Sequence, residues 1–304
     1  MDPVTIIRPR GAPVPAVFDS PHSGTHYPDD FDYIVPLSML RRGEDPFVDE
    51  LFAAAPDHGA PLIAATFSRM YIDPNRSDAD IDPDMLDGDW PHPLTISRKT
   101  RSGMGLIRSQ SGRKRAAIYG RKLSVAEVRR RIENYWRPYH DMLRRELDET
   151  HGRFGAVWHI DCHSMPSKWA TGFDKAGEPN ENDYVLGNRD GTTAGAEFTE
   201  LVRETLAGFG FKVGVNDGQK GVELVRAYSD PACKRHSLQI EINRRLYWDE
   251  RNFTKRDCFD EQRQTMTRLI EVICGYARGK VSQDNKSGSV LDAFNRSAGG
   301  RWRR

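Results

Sequence analysis

The sequence is poor in the features that define several common protein classes. Its 304 residues include only four cysteines and no Cys-x-x-Cys pair, so neither a disulfide framework nor a cysteine-rich zinc site is expected. The formal net charge is only +1, which gives no general attraction to nucleic acid. No signal peptide or membrane span opens the chain, so we expect no membrane association and a location in the reducing cytoplasm.

What remains is typical of a globular α/β protein. The hydrophobic content of 38% is enough for one large core or two modest ones. A short strand over residues 16–19, apolar residues at helical spacing over 44–55 and a strand-like run over 61–67 predict a β-α-β unit with parallel strands. We therefore predict a single domain over residues 1–279, with a mixed, mostly parallel sheet flanked by helices, and a polar, basic tail over 280–304.

Two segments between these elements carry distinct signals. Residues 77–122 are rich in Asp, Pro, Gly and Ser and have no sustained apolar period, so we interpret them as a long excursion with substrate-facing loops. The basic stretch from Arg108 to Lys122 within it indicates a solvated loop or a local anion-binding surface. Ser124 and Glu127 form a capping box, and Pro138 should kink the helix that follows.

Two histidines at the ends of apolar strands are the best candidates for metal ligands. His22 follows residues 16–19, and His163 lies in the run His159-Ile-Asp-Cys-His-Ser-Met. A hydrolytic zinc site uses three protein ligands and leaves one position for water. The third ligand should be a carboxylate. Glu44 and Asp45 are the first candidates, and Asp19, Asp73 and Asp161 are alternatives, of which Asp19 and Asp161 better suit a role as acceptors for the histidine ring N–H groups.

A second group of polar residues lies in the run from Ser68 to Arg76. Arg69, Asn75 and Arg76 flank a turn and could clamp a substrate carboxylate in a bidentate manner. The alternative is an ordinary surface turn with an Asp-Pro-Asn signature. A substrate with carboxylate groups is therefore expected, and Arg226 is a reserve candidate for a second carboxylate.

A third group lies along a strand over residues 238–242. Alternation places Gln239, Glu241 and Asn243 on one face. A buried Glu241 beside a metal site is suited to act as general base and then as general acid. A structural salt bridge to Arg244 or Arg245 is the alternative. Tyr247 could donate a hydrogen bond to the substrate, or it could simply pack in the core.

Together these motifs resemble the N-formylglutamate amidohydrolase family. The resemblance rests on Ser-Pro-His22-Ser-Gly, Asp45 before an apolar helix, and the runs 68–76, 161–165, 185–192 and 238–247, and it spans about residues 14–279. That family is similar in fold to the zinc carboxypeptidases and aspartoacylases. Zinc carboxypeptidases place a ligand Glu three residues after the first histidine, where this sequence has Thr25, so the resemblance points to Asp45 as the third ligand.

The resemblance implies a zinc-dependent enzyme, with Zn²⁺ or another divalent metal on His22, Asp45 and His163. It also implies Glu241 as the base and Asn75 and Arg76 as the carboxylate clamp. The expected reaction is hydrolysis of N-formyl-L-glutamate to formate and L-glutamate, the last step of one route of histidine breakdown. One alternative is a deacylase or carboxypeptidase for another N-acyl amino acid or peptide, and another is a metal-free protein that binds dicarboxylates. The oligomeric state is left open.

Overall fold

A seven-stranded sheet forms the centre of the molecule. The computed structural model describes residues 1–111, 115–167 and 182–298, with side chains described as far as residue 283. The strands of the sheet are β1 (Val4–Ile7), β2 (Ala16–Ser20), β3 (Leu62–Ala65), β4 (Val157–Met165), β5 (Tyr184–Gly187), β6 (Val213–Val215) and β7 (Arg235–Asn243). Their order is β1-β3-β2-β4-β7-β5-β6. Only the β1/β3 and β7/β5 pairs are antiparallel, so the prediction of a mixed, mostly parallel sheet is confirmed.

Helices and short strand pairs surround this sheet. The helices are α1 (Leu37–Arg41), α2 (Val48–Leu51), α3 (Arg98–Arg101), α4 (Val125–Arg131), α5 (Arg137–Phe154), α6 (Ala196–Gly208), α7 (Glu223–Tyr228) and α8 (Phe259–Ala298). Three two-residue pairings complete the structure: Leu86–Asp87 with Leu123–Ser124, Gln110–Ser111 with Ala116–Ala117, and Trp248–Asp249 with Thr254–Lys255. Among the helices within the described ranges, none has a stretch both long and apolar enough to cross a membrane.

The two faces of strand β4 have opposite chemistry. Trp158, Ile160 and Cys162 belong to an apolar core that also includes residues of α6 and α8. The alternate residues His159, Asp161 and His163 project from the other face and are all buried. Because β2, β4 and β7 run in parallel and in register, this polar face collects side chains from three neighbouring strands.

The helical segment after residue 124 follows its sequence signals. The Ser124 hydroxyl accepts a hydrogen bond from the backbone N–H of Glu127 at 3.1 Å, which is one half of the predicted capping box. The Glu127 carboxylate accepts from Arg121 and Arg131 instead of from the Ser124 backbone. The kink expected at Pro138 takes the form of a π-helical turn, Ile132–Trp136, directly before α5. A proline has no N–H to donate to the preceding turn, so it is accommodated in the first turn of a restarted helix. Helix α5 ends at Gly155, whose φ of 72° is accessible to glycine without strain.

The excursion over residues 77–122 is part of the folded body. Ile81, Leu86, Leu106, Ile107 and Ile118 are all buried, and they belong to a second core that also includes residues of α4 and α5. Residues 112–114 lie outside the described residues. The excursion therefore holds its polar residues in fixed positions beside the sheet.

Two predicted boundaries differ from the observed elements. The helix expected over residues 44–55 is only the short α2, because Phe47 adopts a left-handed conformation with φ 62° and helical structure begins after it. Helix α8 continues through Gly279, where the domain was expected to end, and reaches Ala298. Residues 299–304 of the predicted tail lie outside the described residues, and the domain boundary stays a prediction.

Candidate functional site

His22, Asp45 and His163 converge at the end of the parallel strands. One ligand atom from each lies within 4.8 Å of the others, and all three residues are buried. His22 follows β2 directly, His163 lies near the end of β4, and Asp45 precedes α2. The parallel strands deliver both histidines to the same edge of the sheet, as the sequence predicts. The neighbouring Gly24 is required there, because a Cβ atom would lie 2.3 Å from the carbonyl oxygen of Phe67.

Asp45 is oriented by contacts on both sides of its carboxylate. Its backbone N–H donates to the carbonyl of His22 at 3.0 Å, and its Oδ1 accepts from Nη2 of Arg244 at 2.9 Å. Oδ2 therefore faces the histidines, 3.3 Å from His22 Nδ1 and 3.0 Å from His163 Nδ1. The alternative Glu44 accepts a hydrogen bond from the Tyr27 hydroxyl instead. Of the two adjacent acids, only Asp45 joins the histidines.

His22 presents an unpaired nitrogen to this group. Burial alone would raise the pKa of Asp73, but the charge of Arg69 and the hydrogen bond from His22 hold it well below its ordinary value. Ionised Asp73 accepts a hydrogen bond from His22 Nε2 at 2.7 Å, so the lone pair of the neutral ring lies on Nδ1. Nδ1 is buried and has no hydrogen-bond partner within the described part of the chain. This lone pair faces the Asp45 carboxylate, an arrangement of two acceptors that a cation would stabilise.

His163 completes the group from strand β4. Its Nδ1 contacts Asp45, while Asp161 Oδ1 lies 2.7 Å from Nε2 as a close charge contact rather than an aligned hydrogen bond. Burial opposes protonation of His163, but Asp161 and Asp45 raise its pKa well above the ordinary value. Asp161 thus takes the position behind a histidine that the sequence indicates. Asp19, the other expected acceptor, accepts from His159 and Tyr139 instead.

Glu241 lies beside this group on strand β7, in register with His163. Its side chain is buried, and Oε1 accepts a hydrogen bond from Gln239 Nε2 at 2.8 Å, so the two residues share a face as predicted. Burial raises the pKa of Glu241 to about 7; the Asp45 carboxylate adds to the shift, and His163 opposes it. Arg244 and Arg245 pair with Asp45 and Asp183. The alternative of a salt bridge from Glu241 to either arginine is therefore not formed.

Asp73 connects the histidines to a group of guanidinium groups. Its Oδ2 accepts from Arg69 Nη2 at 2.6 Å and from Arg108 Nη2 at 3.2 Å, and it lies 4.0 Å from Arg76 Nη2. We call Arg69, Arg76, Arg108 and the nearby Lys99 the cationic cluster. Two of its members, Arg69 and Arg76, are evident from the sequence. Arg108 and Lys99 lie on the excursion. The basic stretch from Arg108 to Lys122 gave a signal for Arg108, and the sequence analysis gave none for Lys99.

The other predicted substrate-binding residues have different surroundings. Asn75 is buried; its Oδ1 accepts from the backbone N–H of Leu224 at 3.0 Å, and its Nδ2 lies 3.0 Å from His163 Nε2. Arg226 is exposed and donates twice to Glu223. Tyr247 is fully buried in the apolar core. The structure thus brings Asn75 next to the histidines but does not bring Arg226 or Tyr247 into the cationic cluster.

The chain is similar to known proteins over most of its length. Residues 14–248 match the family model described as N-formylglutamate amidohydrolase. The crystal structure of N-formylglutamate amidohydrolase from Ralstonia eutropha JMP134 is 46% identical and has a TM-score of 0.89, with 92% of this chain and 100% of that chain covered. N-formylglutamate deformylase from Pseudomonas putida is 29% identical over 84% of this chain and 91% of its own length. A gene product of Agrobacterium tumefaciens, 16% identical with a TM-score of 0.64 over 94% of this chain and 97% of its own, shares the fold.

Proposed function

Because this chain belongs to the N-formylglutamate amidohydrolase family, we propose that it hydrolyses N-formyl-L-glutamate to formate and L-glutamate with a divalent metal, most simply Zn²⁺. The reaction would complete one route of histidine breakdown in the cytoplasm. Water adds to the formyl carbon, the C–N bond breaks, and the departing nitrogen gains a proton. The relatives named deformylase and amidohydrolase support this reaction.

The observation that carries the proposal is the unpaired Nδ1 of His22 facing Asp45. Two histidine nitrogens and one carboxylate oxygen are a donor set that suits zinc, and a catalytic site with three protein ligands leaves a position for substrate or water. We propose His22, Asp45 and His163 as the ligands. A metal bound there would supply Lewis-acid activation of both water and the formyl carbonyl group.

The carboxylates behind the histidines support the same proposal. A ligating histidine commonly has its second ring nitrogen beside a carboxylate, which orients the ring and increases its basicity. Asp73 accepts from His22 at 2.7 Å, and Asp161 lies 2.7 Å from His163. Arg244, in turn, holds Asp45. Each proposed ligand therefore has its own orienting partner.

Glu241 is the proposed general base and acid. It would accept a proton from water as the nucleophile forms and then donate this proton to the amine that leaves. Glu241 is buried and pairs in register with His163, which supports this role. It is not one of the three converging residues His22, Asp45 and His163. The hydrogen bond from Gln239 restrains the carboxyl group in one orientation.

The cationic cluster supports an acidic substrate. Arg69 and Arg76 are within contact of Asp73, whose other oxygen holds His22. A substrate carboxylate bound by these guanidinium groups would therefore be held close to the proposed metal ligands. Such a contact fixes the position of the formyl group, which is how a binding group remote from the chemistry accelerates a reaction.

Formate release is the test of this function. Purified protein should release formate from N-formyl-L-glutamate, lose activity after chelation, and regain it when Zn²⁺ is added. A panel of N-acetyl-L-glutamate, N-succinyl amino acids and short peptides separates deformylation from related deacylation and carboxypeptidase activity. A protein that holds no stoichiometric metal and releases nothing from the panel, yet binds dicarboxylates, would be a binding protein, and the proposal would be wrong.

A further inference from the structure

The cationic cluster contains more positive charge than the carboxylate at its centre can neutralise. Arg69, Arg76 and Arg108 all direct Nη2 toward the single oxygen Oδ2 of Asp73, at 2.6, 4.0 and 3.2 Å. The other oxygen of Asp73 is used by His22 Nε2. One carboxylate therefore serves three guanidinium groups and a histidine. A surplus of this kind in a partly desolvated position favours the binding of an anion.

The nearest additional carboxylates are used by other partners. Asp80 accepts from the Ser97 backbone N–H at 2.8 Å and from the Thr100 hydroxyl, and so anchors the start of α3. Glu223 accepts two hydrogen bonds from Arg226, at 2.9 and 2.6 Å. Both carboxylates attract Arg76 from a distance, but among the described residues neither forms an ion pair with a member of the cluster. They therefore offset only part of the surplus positive charge.

Arg108 has hydrogen-bond donors that the protein does not use. Arg76 donates through Nε to Met104 O and through Nη1 to Asn75 O, and Arg69 donates through both Nε and Nη2 to Asp73. Arg108 donates to Asp73 through Nη2 only, and its buried Nε has no partner in the described part of the chain. Its side chain is only 11% exposed. A buried, unpaired guanidinium N–H is costly unless a ligand accepts from it.

The backbone of Lys99 is connected to the same cluster through Met104. The Met104 backbone N–H donates to the Lys99 carbonyl at 2.8 Å, and the Met104 carbonyl accepts from Arg76 Nε. These two hydrogen bonds link the backbone of α3 to Arg76. Lys99 is exposed, and its ammonium group makes no ion pair with any carboxylate in the described ranges. Although the residue as a whole is exposed, desolvation of its ammonium group by surrounding protein atoms and the charges of Arg76 and Arg108 lower the pKa of Lys99 to about 8, while the Glu241 carboxyl group opposes the shift. A second substrate carboxylate would relieve this repulsion.

We propose that Arg108 and Lys99 bind the side-chain carboxylate of the substrate and thereby select dicarboxylic amino acid derivatives. Arg69 and Arg76, next to Asp73, would hold the α-carboxylate closer to the histidines. The assignment rests on the proposed function for the identity of the substrate. It adds to that function two residues of the excursion whose role is to distinguish glutamate derivatives from neutral ones.

Glutarate binding tests this assignment without turnover. Glutarate has two carboxylates separated as in glutamate, and its monoamide, glutaramate, lacks the second charge. The wild-type protein loaded with Zn²⁺ should bind glutarate more tightly than glutaramate in calorimetry. Arg108→Gln and Lys99→Met should each weaken glutarate binding about 10-fold or more, as expected for loss of a hydrogen bond to a charged group, and leave glutaramate binding within about threefold.

Arg101→Gln is the matched control, since Arg101 is an exposed cation on the same helix α3. It should bind both compounds as the wild type does. If Arg108→Gln proves unstable, the exposed Lys99→Met decides the result. The assignment is overturned if wild-type protein does not prefer glutarate, or if the variants keep its preference. Absence of formate release from N-formylglutamate would contradict the proposed function but would leave the binding result interpretable.

Discussion

Two histidines four residues apart on β4 have different surroundings although both are buried. His159 uses both ring nitrogens within the protein: Nε2 contacts Asp19 Oδ1 at 2.8 Å, and Nδ1 contacts the Ser237 hydroxyl. His163 has Asp161 behind it but directs Nδ1 to the group formed with His22 and Asp45. The residue types in the two networks are nearly the same. Protein atoms contact both nitrogens of each ring, so the difference lies in the partner. The Asp45 oxygen beside His163 also faces the unpaired Nδ1 of His22, whereas the partners of His159 form a closed network.

The Asp19–His159–Ser237 network has the composition of a nucleophilic triad but lacks access to substrate. All three residues are fully buried, and Tyr139 donates to the remaining oxygen of Asp19 at 2.6 Å. A serine nucleophile has to reach a substrate carbonyl. The network therefore stabilises the centre of the sheet, and we propose that the chemistry occurs at the strand ends.

The largest effect expected from this comparison concerns the proposed ligands. His22→Ala and His163→Ala should lower turnover of N-formylglutamate about 1,000-fold or more, because the several kcal/mol supplied by a metal are lost. Bound metal measured by mass spectrometry should fall below one ion per chain. The melting temperature of each variant should be close to that of metal-free wild type. His92→Ala, an exposed histidine, should behave as wild type. Full metal content in either ligand variant would refute the assignment.

The inner network should respond in the opposite manner. His159→Ala removes the partner of a buried carboxylate, so the free energy of unfolding should fall by about 3–5 kcal/mol. The folded fraction should still bind metal, and its turnover per bound metal should stay close to that of wild type. The reason is that the hydrogen bonds of His159 go to Asp19 and Ser237, neither of which is a proposed ligand. Denaturant unfolding and metal analysis measure the two properties separately. If His159→Ala kept its stability but lost its metal, His159 would support metal binding and the proposed separation of the two networks would be wrong.

Glu241→Gln should have an intermediate effect. The amide keeps the shape and can still accept the hydrogen bond from Gln239, but it cannot accept a proton, so kcat should fall about 100-fold or more. Metal content should not change. Glu44→Gln is the matched control, since Glu44 is also buried beside the site but accepts from Tyr27. Near-normal turnover in Glu241→Gln would make Glu241 a structural residue.

The smallest effect concerns pH. Lys99 is cationic below a pKa of about 8 and neutral above it, so the contribution of its charge should be present at pH 7 and lost as pH rises. The ratio of kcat/KM for N-formylglutamate to that for N-formylglutamine should fall up to about tenfold between pH 7 and 9. Using the ratio removes pH effects common to both substrates. Lys99→Arg should make the ratio independent of pH in this range, and an unchanged slope would contradict the role of Lys99.

Much of the fold follows from local patterns. The strands near residues 16–19 and 61–67, the capping box at Ser124 and the break before Pro138 depend on chain-local properties, namely apolar periodicity, hydrogen bonding within a few residues and the missing N–H of proline. The length of α2 was not predictable in the same way. Phe47 adopts the left-handed conformation, so the helix begins only at Val48, later than the pattern predicts.

For the site, local sequence patterns predicted the residue types and their location near strand ends: two histidines, a neighbouring pair of acids and a glutamate in a strand. Other features depend on tertiary packing: Asp73 lies behind His22, Asp19 pairs with His159, and Arg108 lies beside Arg69 and Arg76. Packing also brings Asp45 rather than Glu44 against the histidines. The physical reason is that strand and helix periods report which face a side chain takes. Hydrogen bonds and ion pairs between residues 35 to 140 positions apart depend on how the elements pack, which no local pattern encodes.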